Sequence, residues 1–175
     1  MKYSVAVIIP TYNRARTLRR ALESVFGQTR QPEEVCVIDD GSTDSTEVLV
    51  KEHFPQVIYI RQQNLGVSAA RNAGVEATSS DCVAFLDSDD EWLPKKLEVQ
   101  LSELEASPDI RLVHSDEIWI RNGKRVNQMH KHKKSGGYIF PLCLPLCAIS
   151  PSAAVLHRSL LADVGGFDES LPACE

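Results

Sequence analysis

The sequence lacks any apolar run long enough to cross a bilayer, which takes about 20 residues in a row. Its best candidates, residues 5–9 and 142–156, are both too short, and Pro145 and Pro151 interrupt the second. It also lacks a basic excess. Nineteen Lys and Arg stand against 24 Asp and Glu, a net charge of −5, so a general nucleic-acid partner, which needs a basic face for phosphates, is excluded. The cysteines Cys36, Cys82, Cys143, Cys147 and Cys174 are odd in number and show no disulfide-framework spacing, and no secretory signal precedes the first apolar run. A reducing, cytoplasmic setting is expected. Internal repeats and low-complexity tracts are missing too. What is there, 175 residues of which 43% are hydrophobic and 25% charged, has the composition of one soluble globular domain with a sizeable core.

Residues 4–10, 35–38, 57–60 and 82–86 are short continuous apolar runs rich in β-branched side chains. They predict four strands buried on both faces of a parallel sheet. Helical patterns lie between them. Leu18, Ala21, Leu22, Val25 and Phe26 recur at helical spacing beneath Arg16, Arg19 and Arg20, and Gln28, Thr29 and Pro32 end that helix. Asp44 and Glu47 have capping-box spacing at the start of a second helix. A third spans 67–77, and a fourth starts at Pro94 with Leu97, Leu101 and Leu104 on one face. The alternation predicts an α/β fold with a doubly wound, mostly parallel sheet. Beyond Pro108 the rhythm changes: 110–120 reads as one longer strand, Asn122-Gly123 as a hairpin turn before Val126, and 153–156 as a returning strand, together a small antiparallel annex.

In an open α/β sheet, ligands bind outside the carboxyl ends of the strands. Three such ends carry chemistry: Thr11-Tyr12-Asn13-Arg14, Asp39-Asp40-Gly41-Ser42-Thr43-Asp44 and Asp87-Ser88-Asp89-Asp90-Glu91. Three aspartates within four residues repel one another unless a cation or donor hydrogens neutralise them. A hard divalent ion, Mn²⁺ or Mg²⁺, does so with one or two carboxylates plus substrate phosphates, whereas the plain alternative is a solvated acidic turn. Gly41 fits a tight turn and Asp44 a helix cap, but capping does not explain Asp39. In residues 64–74 a glycine turn opens a small-residue helix that can approach the sheet closely. Its lone Arg71 can reach a base or phosphate, against the ordinary default of an exposed helix arginine.

The succession VIIPTYNR (7–14), SVFGQT (24–29), VIDDGSTDST (37–46), NLGVSAARNAG (64–74), FLDSDD (85–90) and VGGFDE (164–169) resembles family 2 glycosyltransferases of the GT-A fold, over nearly the whole chain. The resemblance implies a single glycosyltransferase domain over 1–175, with 1–108 binding the donor nucleotide and 109–175 beginning the acceptor part. It implies a nucleoside-diphosphate sugar, a UDP-sugar favoured, lying across the strand ends. Thr11 and Tyr12 would line the base pocket, Asp39 would accept from the base, and Arg71 would bind base or diphosphate. Asp89 would hold the ribose and Asp90 the metal, with Asp87 the alternative, since the acidic turn offers two registers. The chemistry implied is sugar transfer to an acceptor hydroxyl with inversion. The acceptor would be a sugar or a lipid-linked group, in polysaccharide or related assembly, with contact to the inner face of a membrane.

The resemblance also implies a Glu-Asp pair after the segment that contains Asp168, the aspartate serving as base. Glu175 matches the first member of that pair, so the base would be the next residue, and residues 1–175 alone are expected to bind donor but transfer poorly. The alternative is a non-catalytic nucleotide-sugar-binding fragment or degenerate paralogue. Two rivals fit less well. A haloacid-dehalogenase-type phosphatase would place its nucleophile near the first strand, and a receiver domain leaves Arg71 and the acidic turn unexplained together. His130, His132, Cys143 and Cys147 match no common zinc spacing, and the basic run of residues 130–134 reads as a solvated, mobile loop.

Overall fold

A computed structural model describes residues 2–127, 129, 133–145 and 148–171. In chain order the elements are β1 (Val5–Thr11), α1 (Ala15–Phe26), β2 (Glu34–Asp39), α2 (Thr46–His53), β3 (Ile58–Arg61), α3 (Val67–Glu76) and β4 (Cys82–Phe85). They continue with α4 (Lys96–Ala106), β5 (Leu112–His114), β6 (Trp119–Arg121), β7 (Lys124–Val126), α5 (Phe140–Cys143), β8 (Ala154–His157) and α6 (Arg158–Val164). Strands β3-β2-β1-β4-β8-β5 form one six-stranded sheet, and β6-β7 a separate hairpin. The first four are mutually parallel, while β8 runs antiparallel to both β4 and β5. No helix among the described residues is long and apolar enough to cross a membrane.

Every residue of β1 is buried, as a central strand covered on both faces requires. Val5, Val7 and Ile9 point to a core filled by Leu18, Leu22 and Val25 of α1, Leu49 and Val50 of α2, and Leu97, Leu101 and Leu104 of α4. On the other face Ile8 meets Val83, Phe85, Leu156 and Leu161, and Cys36 and Ile38 of β2 meet Ala70 of α3. The small residues of α3 let it lie close on the sheet. A Cβ added at Gly74 would stand 2.3 Å from Cγ2 of Ile8.

Four local expectations are corrected. β3 is the sheet edge and is not buried on both faces; Ile58 is 37% exposed, because only β2 flanks it. Residues 110–120 are not one strand. β5 ends at His114, and the polar Ser115-Asp116-Glu117 carries the chain out of the sheet before β6 opens the hairpin with β7. Asp44 accepts from Thr46 N at 3.0 Å where α2 begins, but Glu47 pairs with Lys51 at 2.6 Å, so no reciprocal capping box forms. Helix α4 begins two residues after Pro94, whose carbonyl instead accepts from Thr29 N at 2.8 Å.

Candidate functional site

Because β2, β1 and β4 are adjacent and parallel, their carboxyl ends open on one edge of the sheet, and Thr11 and Asp39 are register partners there. The loops beyond them are sewn together. Asn13, held at φ 53, accepts through Oδ1 from Thr43 N at 2.7 Å and Asp44 N at 3.2 Å, and donates its own N–H to Ser42 Oγ at 2.8 Å. Thr11 is buried, and its hydroxyl has no hydrogen-bond partner among the described residues. Tyr12 beside it is 47% exposed, a free aromatic face at the mouth of the edge.

Asp39 is buried and already engaged: Oδ1 accepts from Ser42 N at 2.7 Å, and Oδ2 from the Tyr59 hydroxyl. Burial, and then that bond to Asp39, push the Tyr59 phenol well above its ordinary range, so it remains a donor. Each carboxylate oxygen keeps one further lone pair. Asp40, which the sequence places only among the polar residues at a strand end, has a structural role of its own. Its Oδ1 accepts from Gln62 Nε2 at 2.8 Å and Leu65 N at 2.9 Å, and its Oδ2 from Gly66 N at 2.9 Å. One carboxylate thus fastens the loop that enters α3, where Gly66 takes φ 95. A carboxylate facing a glycine turn from the neighbouring strand end was the available signal.

The acidic turn follows β4 and closes through Asp90 N donating to the Asp87 carbonyl at 3.0 Å. Arg71 is buried rather than exposed. Its Nη2 donates to Asp87 Oδ1 at 3.0 Å while its guanidinium lies 5.3 Å from the Phe167 ring centroid. Phe167 in turn meets Phe85 edge-on at 5.1 Å. Asn72 latches that segment to α3, donating Nδ2 to the Phe167 carbonyl at 2.9 Å and accepting Phe167 N through Oδ1 at 2.9 Å. Asp89 is exposed, with Arg14 Nη1 3.9 Å away. Asp90 is held above the usual carboxylate range by desolvation and by the charges of Asp87, Asp89 and Glu117, against a hydrogen bond from Ser152 that works to lower it.

Ser152 and Glu117 also escaped the sequence reading. Neither stands in a motif, and both reach the turn from the second half of the chain. The Ser152 hydroxyl accepts from Asp87 N at 3.0 Å. Glu117 accepts from Trp119 Nε1 at 3.0 Å and pairs with Lys134 at 2.9 Å. Burial works to raise its carboxyl, yet those bonds hold it below the ordinary value. Lys134, which also donates to the Ala148 carbonyl at 2.8 Å, is therefore fixed and not part of a solvated loop. His130, His132, Cys147, Cys174 and Glu175 lie outside the described residues, so the zinc reading and the position before the expected base are not visible. Cys143 is a free, exposed thiol, and Asp168 caps its own turn by accepting from Ser170 N at 2.9 Å.

Asp87, Asp89 and Asp90 share one turn, yet no three His, Cys, Asp or Glu side chains among the described residues converge as around a metal. Arg71 takes one oxygen of Asp87. The donor set fits a hard cation that needs one or two carboxylates and completes its shell with phosphate oxygens, and it does not fit an all-protein cage. The like charges of Asp87, Asp89 and Glu117 around Asp90 are what such an ion would relieve.

Fold and site together define an open α/β protein with polar and acidic residues gathered at the carboxyl ends of its central strands, built on the GT-A fold. The chain belongs to glycosyl transferase family 2, whose model matches residues 6–165. An uncharacterized glycosyltransferase of Rickettsia bellii is 36% identical over 148 residues, 83% of this chain and 21% of its own length. Another, from Nostoc sp., is 39% identical over 128 residues, 71% of this chain and 40% of its own. The chain thus spans less than half the length of these curated relatives. Among solved structures, S. aureus TarS residues 1–349 superpose with a TM-score of 0.75 at 24% identity, over 97% of this chain and 52% of that one. Mannosyltransferase PcManGT from Pyrobaculum calidifontis, in complex with GDP-Man and Mn²⁺, superposes with a TM-score of 0.70 at 22% identity, over 99% of this chain and 50% of that one. At these identities the likeness shows the fold.

Proposed function

We propose that this chain binds a nucleoside-diphosphate sugar at the ends of β1, β2 and β4 and serves a metal-dependent glycosyltransferase that inverts the anomeric centre. The observation that carries the reading is the convergence at one sheet edge of the Thr11–Tyr12 loop, the Asp39 carboxylate and the acidic turn with buried Arg71 behind it. Structures with the same fold have been solved with UDP, with UDP-GlcNAc and with GDP-Man and Mn²⁺, which supports a nucleotide-sugar ligand, a UDP-sugar favoured.

In this reading Tyr12 stacks on the base, the unpartnered Thr11 hydroxyl donates or accepts at its edge, and a remaining lone pair of Asp39 accepts from it. Asp89 takes the ribose. Asp90, with Asp87 or Asp89, holds Mn²⁺ or Mg²⁺, which would supply Lewis-acid stabilisation of the departing diphosphate. Arg71 adds fixed positive charge beneath that turn, where a water-poor site strengthens it. Residues 1–108 form the donor part, and 109–175 begin the acceptor part, for a sugar or lipid-linked acceptor. The free thiols of Cys36, Cys82 and Cys143 support a reducing, cytoplasmic setting, at or near the inner face of a membrane.

Calorimetry with UDP and with GDP, with and without Mn²⁺, tests this. Metal-dependent binding that disappears in Asp90→Ala is expected. Metal-independent binding, or binding untouched by that substitution, would overturn the metal assignment.

A further inference from the structure

We infer that Asn72 is a positioning residue of the donor site: it clamps the backbone of Phe167, sets that ring against the guanidinium of Arg71, and so fixes how Arg71 meets Asp87. The consequence for a ligand rests on the reading above that a nucleotide binds at these strand ends. Residues 164–169 belong to none of the loops that follow β1, β2 and β4. They nevertheless dock on α3 beside the arginine. The Asn72 carboxamide closes a two-way bond on one residue, Nδ2 donating to the Phe167 carbonyl at 2.9 Å and Oδ1 accepting from Phe167 N at 2.9 Å. Nδ2 also donates to Glu169 Oε1 at 2.8 Å. A carboxamide carries both donor and acceptor, so it can pair with both backbone groups of one residue and fix the direction in which its side chain leaves.

The chain is shaped to receive this clamp. At the end of α6 the N–H groups of Gly165 and Gly166 both donate to the Leu161 carbonyl, at 2.9 and 3.0 Å, and both glycines take positive φ, 84 and 81. Two left-handed residues in succession turn the chain back onto α3. A Cβ added at Gly166 would stand 2.8 Å from Asn72 Oδ1, so a side chain there would push the carboxamide off Phe167. The helix that precedes the turn is anchored as well, since Leu161 packs in the cluster of Ile8, Val83, Phe85 and Leu156.

The ring carries the effect onward. The bond from Arg71 Nη2 to Asp87 Oδ1 at 3.0 Å fixes a distance, and the Phe167 ring, centred 5.3 Å from the guanidinium carbon, restrains its plane. Phe85 steadies the ring edge-on at 5.1 Å. A guanidinium held against an aromatic ring keeps its charge in a place poor in water, so Arg71 stays a directed positive charge behind the acidic turn.

The test has a ligand-free arm and a ligand-bound arm. The Nε–H magnetic resonance signal of Arg71, assigned by its loss in Arg71→Lys, is compared in the wild-type chain, Asn72→Ala, Phe167→Leu and the double variant. Phe167→Leu removes the ring current and shifts the signal, and Asn72→Ala is expected to shift it in the same direction although the ring is still there. Calorimetry with UDP and Mn²⁺ should show Asn72→Ala weakened by about 3- to 30-fold, the range of one cation–π contact, and the double variant no weaker than Phe167→Leu. Thermal unfolding verifies that each chain is folded, and Gly166→Ala, which displaces the same carboxamide, replaces an Asn72→Ala that does not fold. An Arg71 signal unmoved in Asn72→Ala overturns the inference, as do wild-type UDP affinity in that variant or losses that add in the double variant. A wild-type chain that binds no UDP overturns the donor-site reading, and the signal alone then decides whether Asn72 positions Arg71.

Discussion

Arg71 and Asp87 form a pair of unequal burial: Nη2 and Oδ1 are 3.0 Å apart, with the arginine side chain 5% exposed and the carboxylate 35%. The guanidinium is committed to the interior while the aspartate also faces outward at the strand ends. The pair therefore links the packing of α3 to the orientation of the acidic turn, with Phe167 behind the guanidinium. Arg71→Lys keeps the charge but loses the planar fork that reaches the carboxylate and lies on the ring. It is expected to cost about 1–2 kcal/mol of stability, between an exposed pair and a broken buried one. Urea denaturation of the two chains measures this, and UDP calorimetry should show weaker binding by the same variant.

Asp40 acts on a loop that contacts no proposed ligand group. It accepts three protein donors, two of them the amides of Leu65 and Gly66. Asp40→Asn presents an NH₂ to one side of that set and removes the charge, leaving at least one amide facing a donor. A loss of about 2–3 kcal/mol is expected, as for charge-assisted bonds left unmade in a buried place. Hydrogen exchange gives the specific readout. The Leu65 and Gly66 amides should exchange much faster in the variant, while those of β1 should follow only the global change in stability.

The reach of sequence reasoning follows from what each residue depends on. β1, β2 and β4 were legible because a strand covered on both faces is continuously apolar, and Thr11, Asp39 and Asp87 were legible because they are the first polar residues after such runs. β3 has the same pattern yet lies at an edge, since local composition carries no record of how many strands flank it. The role of Asp40 was hidden because its partners Gln62, Leu65 and Gly66 enter through a separate βα unit. Ser152 and Glu117 were invisible for the same reason, reaching the acidic turn only once β8 and β5 join the far side of β4. Burial of Arg71 depends on the close approach of α3, which its small residues permit but do not dictate.

That close approach is tested at Gly74. In an exposed helix interior, Gly→Ala stabilises by roughly 1 kcal/mol through backbone entropy. Here the new Cβ would fall 2.3 Å from Cγ2 of Ile8 and 3.2 Å from its Cγ1, and Ile8 is fully buried on a central strand that cannot retreat. Overpacking of this kind costs about 1–3 kcal/mol and so outweighs the propensity gain. Gly74→Ala is expected to lower the urea midpoint. In the Ile8→Ala background, where both γ carbons are gone and only the Cβ at 3.3 Å remains, the same change should cost much less, a non-additivity that identifies the contact.

The pH dependence of stability turns on Lys96, whose Nζ lies 3.9 Å from the Trp92 ring centroid and which burial pulls down from 10.5 to about 7. Between those values the unfolded chain binds a proton that the native chain does not, so stability rises with pH across that window. The buried thiols act in the opposite sense. Burial, with Glu34 adding for Cys36 and Asp81 for Cys82, raises them from 9.0 to about 12 and about 11 respectively. Above pH about 9 the native state therefore keeps two protons that the unfolded state releases, and stability falls. Urea unfolding from pH 6 to 10.5 should show stability climbing through neutrality to a maximum near pH 9 and then declining. Lys96→Met, which fills similar space without the charge, should abolish the climb and leave the decline. A climb of unchanged slope in that variant would assign it to another group.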